Sequence, residues 1–336
     1  MNTLFYARDI GPSQYLHLVM GAVSKQLKCP VSSTFFHSMS SENLFGKGKF
    51  NPRFLVMSLT SLKDDGSKDR EIELIKLAMK HEIIVIVLAD TYGSWGRPWA
   101  QGKIKNAIAI VASEEEAQLA KDWGYKDAIY LGVPPLWQGF AATPAADFKK
   151  PEDGRVELVG GSKEADITDD MLLSVILANE EIGGKWYLIF KPHPGETEKT
   201  KNEERRKEIL QGVNTIDTPF RLDNLLPVVD FSVHLPGATA TIIAPYLRAP
   251  VISFESDEAL RSLFETIPLP YWPPSQMGAC AKADQNNITD VITELLTAEG
   301  REKLRKRQEE VYPLGELKPS EKTTVEQIVD FIEGLV

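Results

Sequence analysis

The chain has 336 residues, 43% of them hydrophobic and 26% charged, with a formal net charge of -10. This length suggests about two average domains, and the acidic balance argues against nucleic acid as a partner, because phosphate backbones require a concentrated basic surface. No apolar run approaches the roughly 20 residues of a membrane span, and the two cysteines give neither metal spacing nor a disulfide framework.

The N-terminus "MNTLFYARDIG" lacks a basic-then-apolar signal, so a cytoplasmic location is expected. "TLFYA" reads as a strand, and "SQYLHLVMGAVSKQL" as a helix with apolar residues three and four apart. "VSSTFF" and "RFLVMSL" are strands, and the helix "DREIELIKLAMKH" feeds the strand "EIIVIVLAD". Strand "AIAIVAS" leads into helix "EEEAQLAKDWG", with Ser113 and Glu116 predicted as a capping box, and "AIYLGV" closes the series. Continuous apolar strands alternating with helices indicate a parallel sheet covered on both faces.

Residues 134–154, rich in Pro, Ala and Gly without a sustained period, read as a linker. The alternation then restarts: strand "VELVGG", helix "DMLLSVILANEE", strand "WYLIF", helix "NEERRKEILQGV", strand "VVDFSVHL", helix "ATIIAPYLR" and strand "APVISF". After the irregular "IPLPYWPPSQMG" come helix "ITDVITELL" and two charged helices. The basic clusters "NEERRKE" and "REKLRKRQEE" alternate in sign and read as solvated helix faces. The last helix carries Val325, Ile328, Val329 and Ile332 on one apolar stripe, which Val336 could extend, and that stripe requires a docking surface. The predicted class is α/β, with two doubly wound Rossmann-like domains facing across a cleft: residues 1–138 and residues 154–318.

In such sheets ligands bind beyond the carboxyl ends of strands, and four strand ends carry unusual residues. Gly160, Gly161 and Ser162 would let the backbone approach a phosphate, or form an ordinary tight turn. Nearby Asp166, Asp169 and Asp170 read as charge at a helix start rather than as metal ligands. In "KPHP" the two prolines push Lys191 and His193 toward extended backbone, freezing an imidazole beside a lysine where a phosphate could sit. Gly237, Thr239 and Thr241 lie between a strand and a helix, where hydroxyls hold a phosphate or cap the helix; His234 just upstream reads as a core histidine. Asp90, at the end of the most hydrophobic strand, is sited for general base work on a hydroxyl or for an Asx turn. Trp95 and Trp99 in the following loop could stack on a sugar or pin the loop, and Asp9 with Gly11 is a weaker parallel candidate.

The two Rossmann-like halves, the "GGS" loop, the "KPHP" strand end and the "GATAT" junction resemble the GT-B superfamily of glycosyltransferases. "GGS" is similar to the diphosphate loop of the N-acetylglucosaminyltransferase of lipid II synthesis. "KPHP" resembles the motif of bacterial sialyltransferases, polysialyltransferases, capsule Kdo transferases and CDP-glycerol glycerophosphotransferases. The resemblance implies a donor domain at 154–318 and an acceptor domain at 1–138, with the C-terminal helix 319–336 packing back on the latter. It also implies an inverting, metal-independent transfer of sugar from a UDP, CMP or CDP donor to a glycan, lipid or small-molecule hydroxyl, with no cofactor.

In that scheme His193, Lys191, Thr239, Thr241 and the loop 160–162 neutralise the leaving phosphate, Asp90 is the base, and Asp9, Gly11 and Trp95 meet the acceptor. The nucleobase would lie near residues 218–227. The chain departs from UDP-sugar enzymes at Ala244 and Pro245, where many carry Glu. A sugar-nucleotide 2-epimerase, a CDP-glycerol-type phosphotransferase and a non-catalytic nucleotide-sugar binder are the alternatives.

Overall fold

The computed structural model describes residues 3–7, 10–26, 31–33, 52–60, 67–196, 199–317 and 322–335. In chain order the first elements are β1 (Thr3–Tyr6), α1 (Ile10–Gln26), β2 (Val31–Ser33), β3 (Phe54–Met57), α2 (Ser67–Lys80) and β4 (Ile84–Leu88). They continue with β5 (Ile108–Val111), α3 (Glu114–Trp123), β6 (Asp127–Tyr130) and α4 (Pro135–Ala141). There follow β7 (Arg155–Gly160), α5 (Ala165–Ile182), β8 (Trp186–Lys191), α6 (Lys199–Ile209), α7 (Leu222–Leu225), β9 (Phe231–His234) and α8 (Thr239–Tyr246). The chain closes with β10 (Val251–Phe254), α9 (Asp257–Phe264), α10 (Pro273–Gln276), β11 (Ala281–Ala283), α11 (Ile288–Leu296), α12 (Ala298–Val311) and α13 (Thr324–Gly334). These form two units: Met1–Gln138 with Phe264–Leu269 and Gly315–Val336, and Gly139–Leu263 with Pro270–Leu314.

In the first unit six strands pair in the order β2-β1-β3-β4-β5-β6, every pair parallel. The central strand β3 is apolar at each position, and all four residues are buried, as strands covered on both faces require. Tyr15, Leu16, Val19 and Val23 of α1 share one core with Ile328, Val329 and Ile332 of α13, against Phe5, Val56 and Ile86 of the sheet. The period of α13 explains this: three and four residues apart, its apolar side chains form one stripe. Its start is fixed by a capping box in which the Thr323 side chain accepts from the Glu326 N–H and Glu326 returns to the Thr323 backbone.

In the second unit five strands pair in the order β11-β10-β9-β7-β8, again all parallel. One face of this sheet packs against α5, α11 and α12 through Met171, Leu172, Val175, Ile292 and Leu304. The other packs Val156, Leu158 and Ile189 against Leu225, Ala240 and Ile243. The register sets Gly160 beside both Lys191 and His234, so three strands end at one level. The doubly wound α/β class follows from both sheets.

Candidate active site

The strand ends of the second unit bring together two of the motifs read from the sequence, and the third follows the neighbouring strand end at His234. The Gly161 N–H donates to the Lys191 carbonyl at 2.8 Å, closing the loop after β7 onto the end of β8. A Cβ on Gly161 would stand 3.3 Å from the His193 nitrogen and 3.4 Å from the tip of the Phe190 ring, so this loop and the histidine turn touch. At Gly160 a Cβ would lie 2.3 Å from His234 Nδ1; only glycine fits under that imidazole.

His193 is partly buried. Its Nδ1 accepts the Gly195 backbone N–H at 2.9 Å, which can only donate, so in the neutral ring the proton sits on Nε2. The imidazole therefore carries an N–H donor of the kind an anionic oxygen accepts. Lys191 donates to the Thr218 carbonyl, at the edge of the 218–227 segment. Lys163 was missed in the sequence, although it directly follows "GGS". Its Cε lies 3.6 Å from where a Cβ on Gly195 would stand, which adds a second lysine beside the histidine turn.

Ser162 is differently employed. Its N–H donates to Thr168 Oγ1 at 2.9 Å and its hydroxyl accepts the Glu164 N–H at 3.1 Å, so it shapes the entry to α5. Gly237 takes a φ of 86°, a left-handed conformation that suits glycine, and turns the chain into α8. Thr239 opens that helix with its side chain exposed. Thr241 departs from the expectation: it is fully buried, donates to the Ala238 carbonyl at 2.7 Å and accepts from Trp272 Nε1 at 3.1 Å. Its hydroxyl is turned inward and holds the helix entry.

His234 is buried, and its Nε2 has no hydrogen-bond partner among the described residues. Burial pushes this imidazole down to about 3, so it stays neutral.

The acidic residues near α5 also read differently in three dimensions. Asp169 accepts from Arg206 Nε at 2.8 Å and from Arg205, and Asp166 accepts from Arg205 Nη1 at 2.6 Å. Both pair with arginines of α6, and Asp166 also lies in the first turn of α5, as the sequence suggested. Arg206 is buried, which corrects the reading of "NEERRKE" as a wholly solvated face. Among the described residues no group of three or more His, Cys, Asp or Glu could hold a metal ion.

In the first unit, Asp90 follows β4 and is partly buried, its carbonyl accepting Trp137 Nε1 at 3.1 Å. Burial pushes the Tyr15 hydroxyl well above its ordinary range, and the Asp90 charge adds to the effect, so a neutral phenol from α1 lies near this carboxylate. The loop beyond is held by a residue given only a capping role in the sequence. Glu116 is buried and accepts from the Gly93 N–H at 2.5 Å, Trp95 Nε1 at 3.1 Å and the Ala112 N–H at 3.0 Å. Burial raises its carboxyl to about 7 despite those hydrogen bonds.

Ser113 occupies the N-cap position of α3 but makes no side-chain cap bond, so the predicted box is incomplete. Trp95 is fully buried, edge-on to Trp123 and Tyr125. It pins the loop and is not available to stack on a sugar. Gly11 lies in the first turn of α1, and Asp9 lies outside the described residues.

No family model and no curated protein matches this sequence. Solved structures do match it in three dimensions. The UDP-GlcNAc 2-epimerase from Neisseria meningitidis bound to UDP-GlcNAc aligns with a TM-score of 0.63 at 12% identity, over 99% of each chain. The MnaA-UDP co-structure from S. aureus gives 0.62 at 13% identity, over 99% of this chain and 96% of that one. The glycotransferase of kitacinnamycin gives 0.53 at 13% identity, over 99% and 98%. The fold is of the GT-B type. At these identities GT-B describes the architecture alone. No helix among the described residues is long and apolar enough to cross a membrane.

Proposed function

We propose that this chain is a glycosyltransferase that binds a nucleotide-activated sugar at the strand ends of its second unit. The carrying observation is the contact between the Gly161 loop and the His193 turn, where the imidazole presents an Nε2–H donor, Lys163 lies beside Gly195 and Lys191 is level with Gly160. His193, Lys191 and Lys163 would offset the charge of the leaving phosphate, the largest electrostatic demand of such a transfer. Gly160 and Gly161 permit close approach, with Gly237 and Thr239 as further donor contacts. Asp90, beside a neutral Tyr15, would deprotonate the acceptor hydroxyl. The donor is of UDP, CMP or CDP type, and the transfer is inverting and metal-independent.

A 2-epimerase acting on a UDP-sugar is the second reading, favoured by two of the aligned structures, a UDP-GlcNAc 2-epimerase bound to UDP-GlcNAc and a UDP co-structure. Proton NMR of UDP-GlcNAc incubated with the protein separates the two. Acceptor-dependent release of UDP, lost in Asp90→Asn, supports transfer. Appearance of the C2 epimer without acceptor replaces that reading by the second. Binding without either change would overturn catalysis of this donor.

A further inference from the structure

Two prolines restrict the backbone around His193, but they fix neither the place of the turn nor the angle of the ring. What does so lies three residues on. The Glu196 N–H donates to the His193 carbonyl at 3.1 Å, closing the turn. The Glu196 carboxylate then dives inward, where Oε2 accepts Arg206 Nη1 at 2.8 Å and Oε1 accepts Arg206 Nη2 at 2.5 Å and Asn202 Nδ2 at 3.0 Å. Arg206 keeps its third edge for Asp169 of α5, Nε to Oδ1 at 2.8 Å. The side chains of Glu196, Arg206 and Asp169 are only 2%, 5% and 6% exposed. The Arg206 guanidinium also lies 4.9 Å from the centre of the Phe190 ring, whose tip borders Gly161.

We propose that Glu196, Arg206 and Asp169 form a buried ionic clamp that positions the His193 imidazole, making Arg206 a positioning residue for the phosphate contact. This rests on the phosphate-binding reading given above. A buried ion pair adds little stability compared with well-packed apolar side chains, so its use here is better explained by geometry. The planar guanidinium binds one carboxylate with two donors and a second carboxylate with the third. A lysine has a single nitrogen and cannot reproduce that fork. One cation thereby ties the histidine turn, α6 and α5 together. The hydrogen bond from Gly195 to Nδ1 holds only while the turn stays closed, and that bond selects the tautomer.

Imidazole nitrogen NMR on the full chain tests the clamp, with His193 assigned by the signal lost in His193→Gln. The wild-type neutral ring should be the Nε2–H tautomer. Arg206→Lys and Glu196→Gln should each release it into a mixture of tautomers and weaken UDP binding by calorimetry about 10-fold, the scale typical of supporting hydrogen-bond partners. A wild-type ring that already samples both tautomers overturns the proposal whether or not the variants fold. So do folded variants that retain the single tautomer and the wild-type affinity. Unchanged UDP affinity in His193→Gln would instead refute the phosphate reading, while the tautomer measurement still judges the clamp.

Discussion

Thr239 and Thr241 stand two positions apart in one helical turn, yet only Thr239 is exposed. Thr241→Val would remove the hydroxyl that accepts from Trp272 Nε1 and donates to the Ala238 carbonyl. The expected result is a loss of about 1–3 kcal/mol in urea denaturation, the cost of a buried group losing its partner, with UDP affinity unchanged. A matching fall in UDP affinity would return Thr241 to the binding site. The sequence shows both threonines at a strand–helix junction, but not which one turns inward. That is decided by Trp272, 31 residues away. Trp95 is a similar case: sugar stacking and loop pinning stay open until Glu116, 21 residues on, is seen to accept its indole N–H.

At the scale of elements, the apolar strands and the striped helices were legible because burial imposes a period that needs no partner to be named. Helix α13 shows it, with Ile328, Val329 and Ile332 buried together against α1. Ile328→Ala should destabilise the protein by about 2–5 kcal/mol, measured by chemical denaturation, as expected for a buried aliphatic truncation. A change below about 0.5 kcal/mol, typical of surface sites, would place α13 off the core. Helix α6 was legible as a helix but misread in its environment. Alternating charge says nothing about whether a folded partner supplies carboxylates, and Arg206 finds them on Asp169 and Glu196. The short elements β11 and α10 carried too few residues to show a period, whereas α9 does carry one, in Ala259, Leu260, Leu263 and Phe264, and was overlooked.

For the whole molecule, two buried carboxyls set a pH dependence. Burial raises Glu116 to about 7 and Glu157 to about 8; Glu157 is supported by Asn179 Nδ2 at 2.6 Å. Both folded values lie above the unfolded carboxyl value near 4.5, so the native state holds protons that the unfolded chain has lost. From these two groups stability falls as pH rises from about 5 to 8, by a few kcal/mol for each. His234, held neutral down to about 3, acts in the opposite sense below its ordinary 6.5 and offsets part of one group's share. Melting temperature should decline across that range, and Glu116→Gln with Glu157→Gln should flatten the decline. A melting temperature that rises toward pH 8 would show that both carboxyls ionise freely in the fold.

The parallel α/β architecture could be read from strand and helix alternation, while the joining of Phe264–Leu269 to the first unit could not, since no local pattern marks it. The central claim is that the strand ends around Gly161 and His193 hold a nucleotide phosphate. Calorimetric titration of UDP, CMP and CDP into wild type, and of whichever binds into His193→Ala, tests it most directly. The account predicts saturable binding by the wild type and affinity at least about 10-fold weaker in a variant with unchanged circular dichroism, consistent with loss of a charge-assisted hydrogen bond. Equal affinity in the two proteins would contradict it.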